Sequence, residues 1–342
     1  MNDTNNKLES DGKLILTPDQ TSLRCLVIGG AGYIGSHITR ALIRAGHTPV
    51  VFDNLNTGLK ENLFEGVEFI KGDIRNESEI NPAMKGIDVV IYLAAFKAAG
   101  ESMDNPQKYA INNICGAINV LNAMCEANVN KIIFSSSAAV YGDPKYLPID
   151  EDHPTEPINF YGFTKLKIER LLKWFNQLKG INFASLRYFN AVGYDPDRGA
   201  KGLEQNPSNL LPVLMEAAKG IRSYVEVYGD DYDTDDGSCV RDYVHVSDLA
   251  SAHLAALNKL FAGSESMTLN LGSSAGISVF EMINEVKKIS GVDFEVRFGP
   301  RRPGDPEILL ANSQRACEML GWKAQYSDLQ TIVKTTWQAY NQ

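Results

Sequence analysis

No apolar run in this 342-residue chain approaches the roughly 18 residues that a membrane-spanning helix needs. Cysteine is scarce: Cys25, Cys115, Cys125, Cys239 and Cys317 are odd in number, widely scattered, and form no CxxC or Cys/His metal spacing. That pattern excludes a disulfide framework and a zinc site, and it reads as free thiols in a reducing compartment. The five histidines form no HExxH arrangement. His245, Ser247 and Asp248 are close in sequence, but no GxSxG accompanies them, so His245 reads as a strand-end residue rather than as part of a hydrolase triad. Basic residues are outnumbered, 33 against 42 acidic, for a net charge of −9. This argues against general affinity for nucleic acid or anionic membranes, while leaving room for a local arginine pair that holds an anion. The opening MNDTNNKLESDGKL has no basic stretch followed by an apolar one, so no secretory leader is read there. Residues 1–22 read as a polar tail, and a cytoplasmic location is expected.

What is present is an alternation of short β-rich runs and helical stretches. Strands are expected over Leu23–Ile28, Thr48–Phe52, Val67–Ile70, Asp88–Leu93, Lys131–Ser135 and Asn182–Tyr188. Helices are expected over Gly32–Ala45, Tyr109–Ala127 and Phe160–Leu178. Runs apolar on both faces, separated by helices, imply an α/β fold with a Rossmann-type, doubly wound parallel sheet. After Asn190 the pattern changes: Gly, Pro and Asp crowd Gly193–Pro207 and Gly229–Gly237, as in the loops of a smaller mixed α/β substrate-binding domain. Val244–Leu257 resumes a strand-turn-helix pattern, Leu269–Gly272 reads as a short strand and Val279–Ile289 as an amphipathic helix. The expected organisation is a dinucleotide-binding domain of residues 23–190 plus about 242–273, and a second domain of about 191–241 plus 274–342.

Ligands of open parallel sheets sit at the carboxyl ends of strands, and the motifs lie there. Gly29, Gly32 and Gly35 follow the first strand and open the first helix, with Tyr33 and Ile34 between them. Such glycines allow a tight turn, close approach of a pyrophosphate, and close packing of helix on strand, while the helix N-terminus offers free N–H groups to the phosphates. Asp53 ends the second strand, where a carboxylate accepts from ribose hydroxyls and repels a 2′-phosphate, favouring NAD over NADP. Asn54 follows it. Asp73 and Ile74, after the third strand, are placed to meet the adenine, and Leu93, Ala94 and Ala95 end the fourth strand with small residues.

Tyr161 and Lys165 open the helix that starts at Phe160, and their i, i+4 spacing puts both on one face. A nearby ammonium favours the phenolate and makes Tyr161 a candidate base. Lys165 can also hold a nicotinamide ribose. Ser137 follows the fifth strand, within Ser135–Gly142, and can bridge Tyr161 and a substrate oxygen.

These features in this order resemble the extended short-chain dehydrogenase/reductase family, and within it the UDP-glucose 4-epimerases and their relatives acting on UDP-N-acetylhexosamines. The stretches that carry the resemblance are GGAGYIGSH from Gly29, DNL from Asp53, GDIRN from Gly72, FKAAGES from Phe96, SSSAAVYGD from Ser135, YGFTKLKIE from Tyr161, LRYFNAVG from Leu186, GSCVRDYVHVSDLA from Gly237 and PRRPGD from Pro300. The resemblance covers about residues 23–342. The resemblance implies an isomerase with retained NAD. Tyr161 takes the proton of a sugar 4-OH while C4 gives up hydride, the 4-keto sugar turns over about its pyrophosphate, and hydride returns to the other face. It further implies that Ser135, Lys97, Asn112 and Tyr188 lie on the cofactor side. Asn190, Asn209, Leu210, Tyr228, Arg241, Arg302 and Asp305 are then implied as contacts of the nucleotide sugar, and a homodimer as the assembly, through the helices at Tyr109–Ala127 and Phe160–Leu178.

Two positions depart from the family pattern. Ile28 stands where Thr is usual, and Leu309 stands where a Tyr in some members restricts the pocket to unacetylated hexoses. The second departure implies tolerance of a 2-acetamido group. A 4,6-dehydratase would need an acid and a base beside Ser137, where Ala138 and Ala139 stand; a decarboxylase is disfavoured in the same way. A non-catalytic NAD-binding sensor would be expected to lack part of the Ser137, Tyr161 and Lys165 set.

Overall fold

The first strand shows why the sheet forms. In the computed structural model, Cys25 and Val27 point into one apolar cluster, with Ile38, Leu42, Leu249 and Leu257, while Leu26 and Ile28 point into another, with Val120, Leu121, Ile168 and Leu172. Because side chains alternate along a strand, a run apolar at every position can be stable only between two helical layers. The structure describes residues 22–204, 207, 209–301 and 306–341. The expected tail therefore falls almost wholly outside the described residues.

In chain order the strands are β1 (Arg24–Ile28), β2 (Thr48–Asp53), β3 (Glu68–Lys71), β4 (Val89–Tyr92), β5 (Lys131–Ser137), β6 (Asn182–Tyr188), β7 (Asn190–Val192), β8 (Tyr224–Tyr228), β9 (Val240–His245), β10 (Met267–Leu271), β11 (Gly276–Ser278), β12 (Glu295–Gly299) and β13 (Ile308–Leu309). The helices are α1 (Tyr33–Arg44), α2 (Glu77–Ala83), α3 (Ala99–Asp104), α4 (Pro106–Tyr109), α5 (Gly116–Ala127), α6 (Phe160–Lys179), α7 (Leu210–Ala218), α8 (Val246–Phe261), α9 (Val279–Ser290), α10 (Gln314–Leu320) and α11 (Leu329–Tyr340).

A seven-stranded parallel sheet runs β10-β6-β5-β4-β1-β2-β3. The chain reverses its direction of winding between β1 and β4, and ligands of doubly wound sheets gather at such a switch point. A second sheet centres on β9, which pairs with β7, β11 and β13, and β8 pairs with β12 in a third. These strands pack with α7, α9 and α11 around a separate core of Leu214, Met215, Val227, Met282, Val286 and Ile332.

Three of the differences from the sequence reading lie near the site. β5 extends two residues further than expected, because Ser135–Ser137 pair in register with Leu186–Tyr188 of β6. The long helix expected from Tyr109 is wound as a π-helix over Ala110–Cys115 before continuing as α5. No turn separates β9 from α8: the His245 side chain accepts the Ser247 N–H at 3.0 Å and starts the helix directly.

Candidate active site

The glycine loop is a close-packed corner. Gly29 has φ +86°, a backbone that L side chains rarely adopt, and lies against the end of β4, so an added Cβ would sit 2.8 Å from the Ala94 nitrogen. A Cβ on Gly35 would sit 2.2 Å from the Gly29 oxygen. Gly32 is looser: its Cβ would meet the same oxygen at 3.3 Å, and the residue caps α1 without a side-chain hydrogen bond. No acidic side chain occupies the first turn of α1. The amide end of this helix is thus left for an anion, with room for it at Gly32.

Around this corner, Asp53 at the end of β2 accepts the Ala31 N–H at 3.1 Å and the Leu55 N–H at 2.8 Å. Burial raises its pKa, and those two amides oppose the rise. Asn54 donates to Asp73 at 2.9 Å, and Arg75 grips Asp73 through two nitrogens at 2.8 and 2.6 Å, holding its carboxyl well below the usual range. The Ile74 side chain is core, packed over Gly116. Leu93 and Ala94 both donate to the Ile28 carbonyl and so lie beside the glycine loop, with Ala95 next along the chain. Asn112 donates to Asn113 at 3.0 Å. Asn113 accepts the Phe96 N–H at 2.9 Å and donates to Thr164 at 3.0 Å. The sequence reading passed over Asn113, which ties the loop after β4 to the helix that carries Tyr161.

That helix begins where it does because Asn159 accepts the Gly162 N–H at 2.8 Å as an N-cap. Gly162 lets it press onto the turn after β5: a Cβ there would lie 2.3 Å from the Ala139 oxygen. This puts Tyr161 beside Ser137, which hydrogen-bonds it. Lys165, one turn on, donates to the Ser135 carbonyl at 2.6 Å and lies 5.8 Å from the Tyr161 ring centroid. Burial pushes the Tyr161 phenol up to about 12, against the Ser137 hydrogen bond, and pushes the Lys165 ammonium down to about 7, against the charge of Glu169. Taken alone, then, the chain holds Tyr161 as a neutral phenol at neutral pH.

Ser137 and Tyr161 open onto a cleft of about 1070 Å³. Tyr33, Ile34, Lys97, Tyr188, Asn190, Asn209, Leu210, Tyr228 and Arg241 also line it. Tyr188 is fixed from behind by His253 at 2.7 Å. Tyr33 donates to the Gly193 carbonyl at 2.5 Å, joining the glycine loop to the smaller portion. Lys97 pairs with Glu204, a residue the sequence reading did not single out. Arg241 donates to the carbonyls of Val240 at 2.9 Å and Glu307 at 3.3 Å. Tyr228 donates to Glu226 at 2.8 Å. Leu309 pairs in register with Arg241 and packs on a cluster containing Ala138 and Phe189; it is not itself among the cleft walls. Arg302 and Asp305 lie outside the described residues. No group of three or more His, Cys, Asp or Glu side chains among the described residues could hold a metal ion.

Residues 25–272 match the model of the NAD dependent epimerase/dehydratase family. The chain belongs to that family. It is 44% identical over 314 residues to a UDP-glucose 4-epimerase of Lacticaseibacillus casei, covering 91% of this chain and 95% of the relative. A UDP-glucose 4-epimerase of Brucella ovis, solved in complex with NAD, superposes with a TM-score of 0.91 at 40% identity, over 93% of this chain and 98% of that one. The UDP-Glc/GlcNAc 4-epimerase of Campylobacter jejuni superposes with a TM-score of 0.82 at 38% identity, over 94% and 99%.

Proposed function

We propose that the chain is an NAD-dependent UDP-hexose 4-epimerase that interconverts UDP-glucose and UDP-galactose and also takes UDP-N-acetylglucosamine and UDP-N-acetylgalactosamine. The observation that carries this reading is the single cleft that joins Ser137 and Tyr161 at one wall to Asn190, Asn209 and Arg241 at another. The first pair suits proton transfer at a carbinol, and the second set suits a nucleotide diphosphate.

The residues present fit the cofactor. The open end of α1, the space at Gly32 and the Asp53 carboxylate match a pyrophosphate and a ribose. When bound, NAD supplies a reversible hydride acceptor and a positive ring charge. The chain's own part is to move one proton. As the phenolate, the form that the positive ring charge and the Lys165 ammonium favour, Tyr161 takes it from the sugar 4-OH as the C4 hydride leaves, becoming the neutral phenol, and gives it back when hydride returns. Ser137 steadies the substrate oxygen, and Lys165 stands by as the cation that favours the phenolate. Returning hydride to the opposite face requires the hexose to rotate, so the grip belongs to groups at the nucleotide end, Arg241 and Asn209, with Arg302 and Asp305 proposed as further contacts. The two portions would divide the work, the seven-stranded sheet holding NAD and the β9 sheet with its helices holding the nucleotide.

A homodimer fits the outer faces of α5 and α6 and the π-helical segment, where Ile111, Trp174 and Leu178 are exposed by 53%, 61% and 70%. A cytoplasmic place in galactose metabolism agrees with this reading. The test is conversion of UDP-galactose to UDP-glucose by the purified protein, with Tyr161→Phe as the control. The variant should keep NAD and lose about 10²–10⁴-fold in kcat. Full turnover in Tyr161→Phe would remove the mechanism.

A further inference from the structure

Behind the Ser137, Tyr161 and Lys165 centre lies a charged network that meets the cleft through Ser136. Glu169, one turn beyond Lys165 on α6, is almost wholly buried, as is Arg187 on β6. Arg187 donates to both carboxylate oxygens of Glu169, Nε at 2.9 Å and Nη2 at 2.6 Å. Ser136, between the serine that holds Lys165 and the serine that touches Tyr161, donates to the same carboxylate at 2.6 Å. Arg187 also donates to the Tyr141 hydroxyl at 2.7 Å, and Tyr141 donates to Asn270 at 2.6 Å. One carboxylate thus ties together α6, β5 and β6. A buried ion pair is costly to desolvate, and an apolar trio of similar size would serve packing as well or better.

We propose that Glu169 is a positioning residue of the active centre: held by Arg187 and Ser136, its carboxylate fixes the Ser135–Ser137 strand end against the helix of Tyr161 and places a buried negative charge behind the Lys165 ammonium. The proposal deepens the 4-epimerase reading and rests on it for its catalytic meaning. The i, i+4 spacing puts Glu169 on the same face as Lys165, and Glu169 is the charge that opposes the fall in the lysine's pKa. The titratable groups that face Lys165 are Tyr161 and Glu169 on α6; one step further out, Arg187 and, through it, Tyr141 adjoin Glu169, Tyr188 on β6 and Tyr109 on α4 act on Tyr161, and His253 bonds Tyr188. Removing the Glu169 charge leaves Arg187 uncompensated, so both changes drive the Lys165 proton off at lower pH.

The test is a titration of the whole chain labelled with ¹³C at the lysine ε-carbon, the Lys165 signal being assigned by its loss in Lys165→Met. In Glu169→Gln the Lys165 midpoint should fall by about one pH unit or more, while Glu169→Asp, which keeps the charge, stays near the unmodified chain. Ser136→Ala should lower kcat without moving the midpoint. In turnover of UDP-galactose, Glu169→Gln should lose kcat, most steeply on the alkaline side, with KM within about twofold. If unpaired Arg187 prevents Glu169→Gln from folding, Glu169→Gln/Arg187→Met keeps the test open, with a smaller shift in the same direction. A folded Glu169→Gln or double variant with an unmoved Lys165 midpoint overturns the inference. Failure of the unmodified chain to interconvert UDP-hexoses overturns the functional reading instead, and the titration still decides the charge relation.

Discussion

Gly35 and Gly32 sit three residues apart in one loop, yet an alanine at each should fail in different ways. At Gly35 the new Cβ would lie 2.2 Å from the Gly29 oxygen and 2.7 Å from the Gly30 Cα. Both neighbours are backbone, and ordinary contact needs about 3.5 Å or more. The start of α1 would have to back off β1 by about an ångström, at a cost of about 3 kcal/mol, the upper end for overpacking. Gly35→Ala should therefore lose several degrees in Tm and lose NAD as well. At Gly32 the backbone is φ −79° and ψ 174°, open to any residue, and the Cβ would meet only the Gly29 oxygen at 3.3 Å. Gly32→Ala should fold with Tm changed by no more than a degree or two. Its methyl would stand where the pyrophosphate must approach, so NAD affinity should fall about tenfold or more, about 1.4 kcal/mol. The assay pairs a thermal scan with NAD released from the purified protein and NAD affinity by titration calorimetry. A Gly32→Ala variant that binds NAD like the unmodified chain would refute the placement of the pyrophosphate. A Gly35→Ala variant of unchanged Tm would refute the packing argument.

Lys165 is charged in the unfolded chain but disfavoured as a cation in the folded one, so its burial costs stability at every pH below its unfolded value, most fully below about 7. Lys165→Met should lose turnover by at least about 10²-fold while raising Tm at pH 7; a lower Tm would contradict the buried-charge account. His245 and His253 are held down to about 3 and about 4 by burial. Above pH 6.5 folded and unfolded chains both hold them neutral. Below it only the unfolded chain gains the protons, so stability should drop by about 1.4 kcal/mol per pH unit for each. His253→Gln should flatten the fall of Tm between pH 6.5 and 5, and an unchanged slope would tell against it. Leu309 pairs with Arg241, a cleft residue, without itself lining the cleft, so the longer side chain of Leu309→Tyr should reach in from there, suppress turnover of UDP-N-acetylgalactosamine and spare UDP-galactose; equal loss of both would sink the pocket-size reading. Trp174→Glu should yield a monomer by light scattering, and a persistent dimer would point to another face.

Much of the large sheet was legible because its strands are apolar at consecutive positions and its helices are not. Leu26 and Val27 face opposite layers, and only a doubly covered strand accepts both. The smaller portion was harder to read. Leu210–Ala218 contains Pro212, yet it is a helix, since a proline in the first turn removes an N–H that has no helical partner anyway. β9 follows α7 and β8 in sequence but joins β7, β11 and β13 in space, and such pairing leaves no local trace. Asn113, Glu169 and Arg187 escaped notice for a related reason: their partners lie 17 to 51 residues away.

By itself the sequence determined which residue types stand at the strand ends: the glycines after β1, the acid after β2, the serines of β5, and the tyrosine and lysine one helical turn apart. Local spacing is enough for that, because a turn, a cap and an i, i+4 pair are short-range geometry. Only the tertiary structure decided what those groups are. Burial leaves Tyr161 a phenol and weakens the hold of Lys165 on its proton, and the carboxylate that answers Lys165 is fixed by an arginine from the strand β6. Desolvation and long-range pairing set the charge of a site, and neither is written in the spacing of its residues.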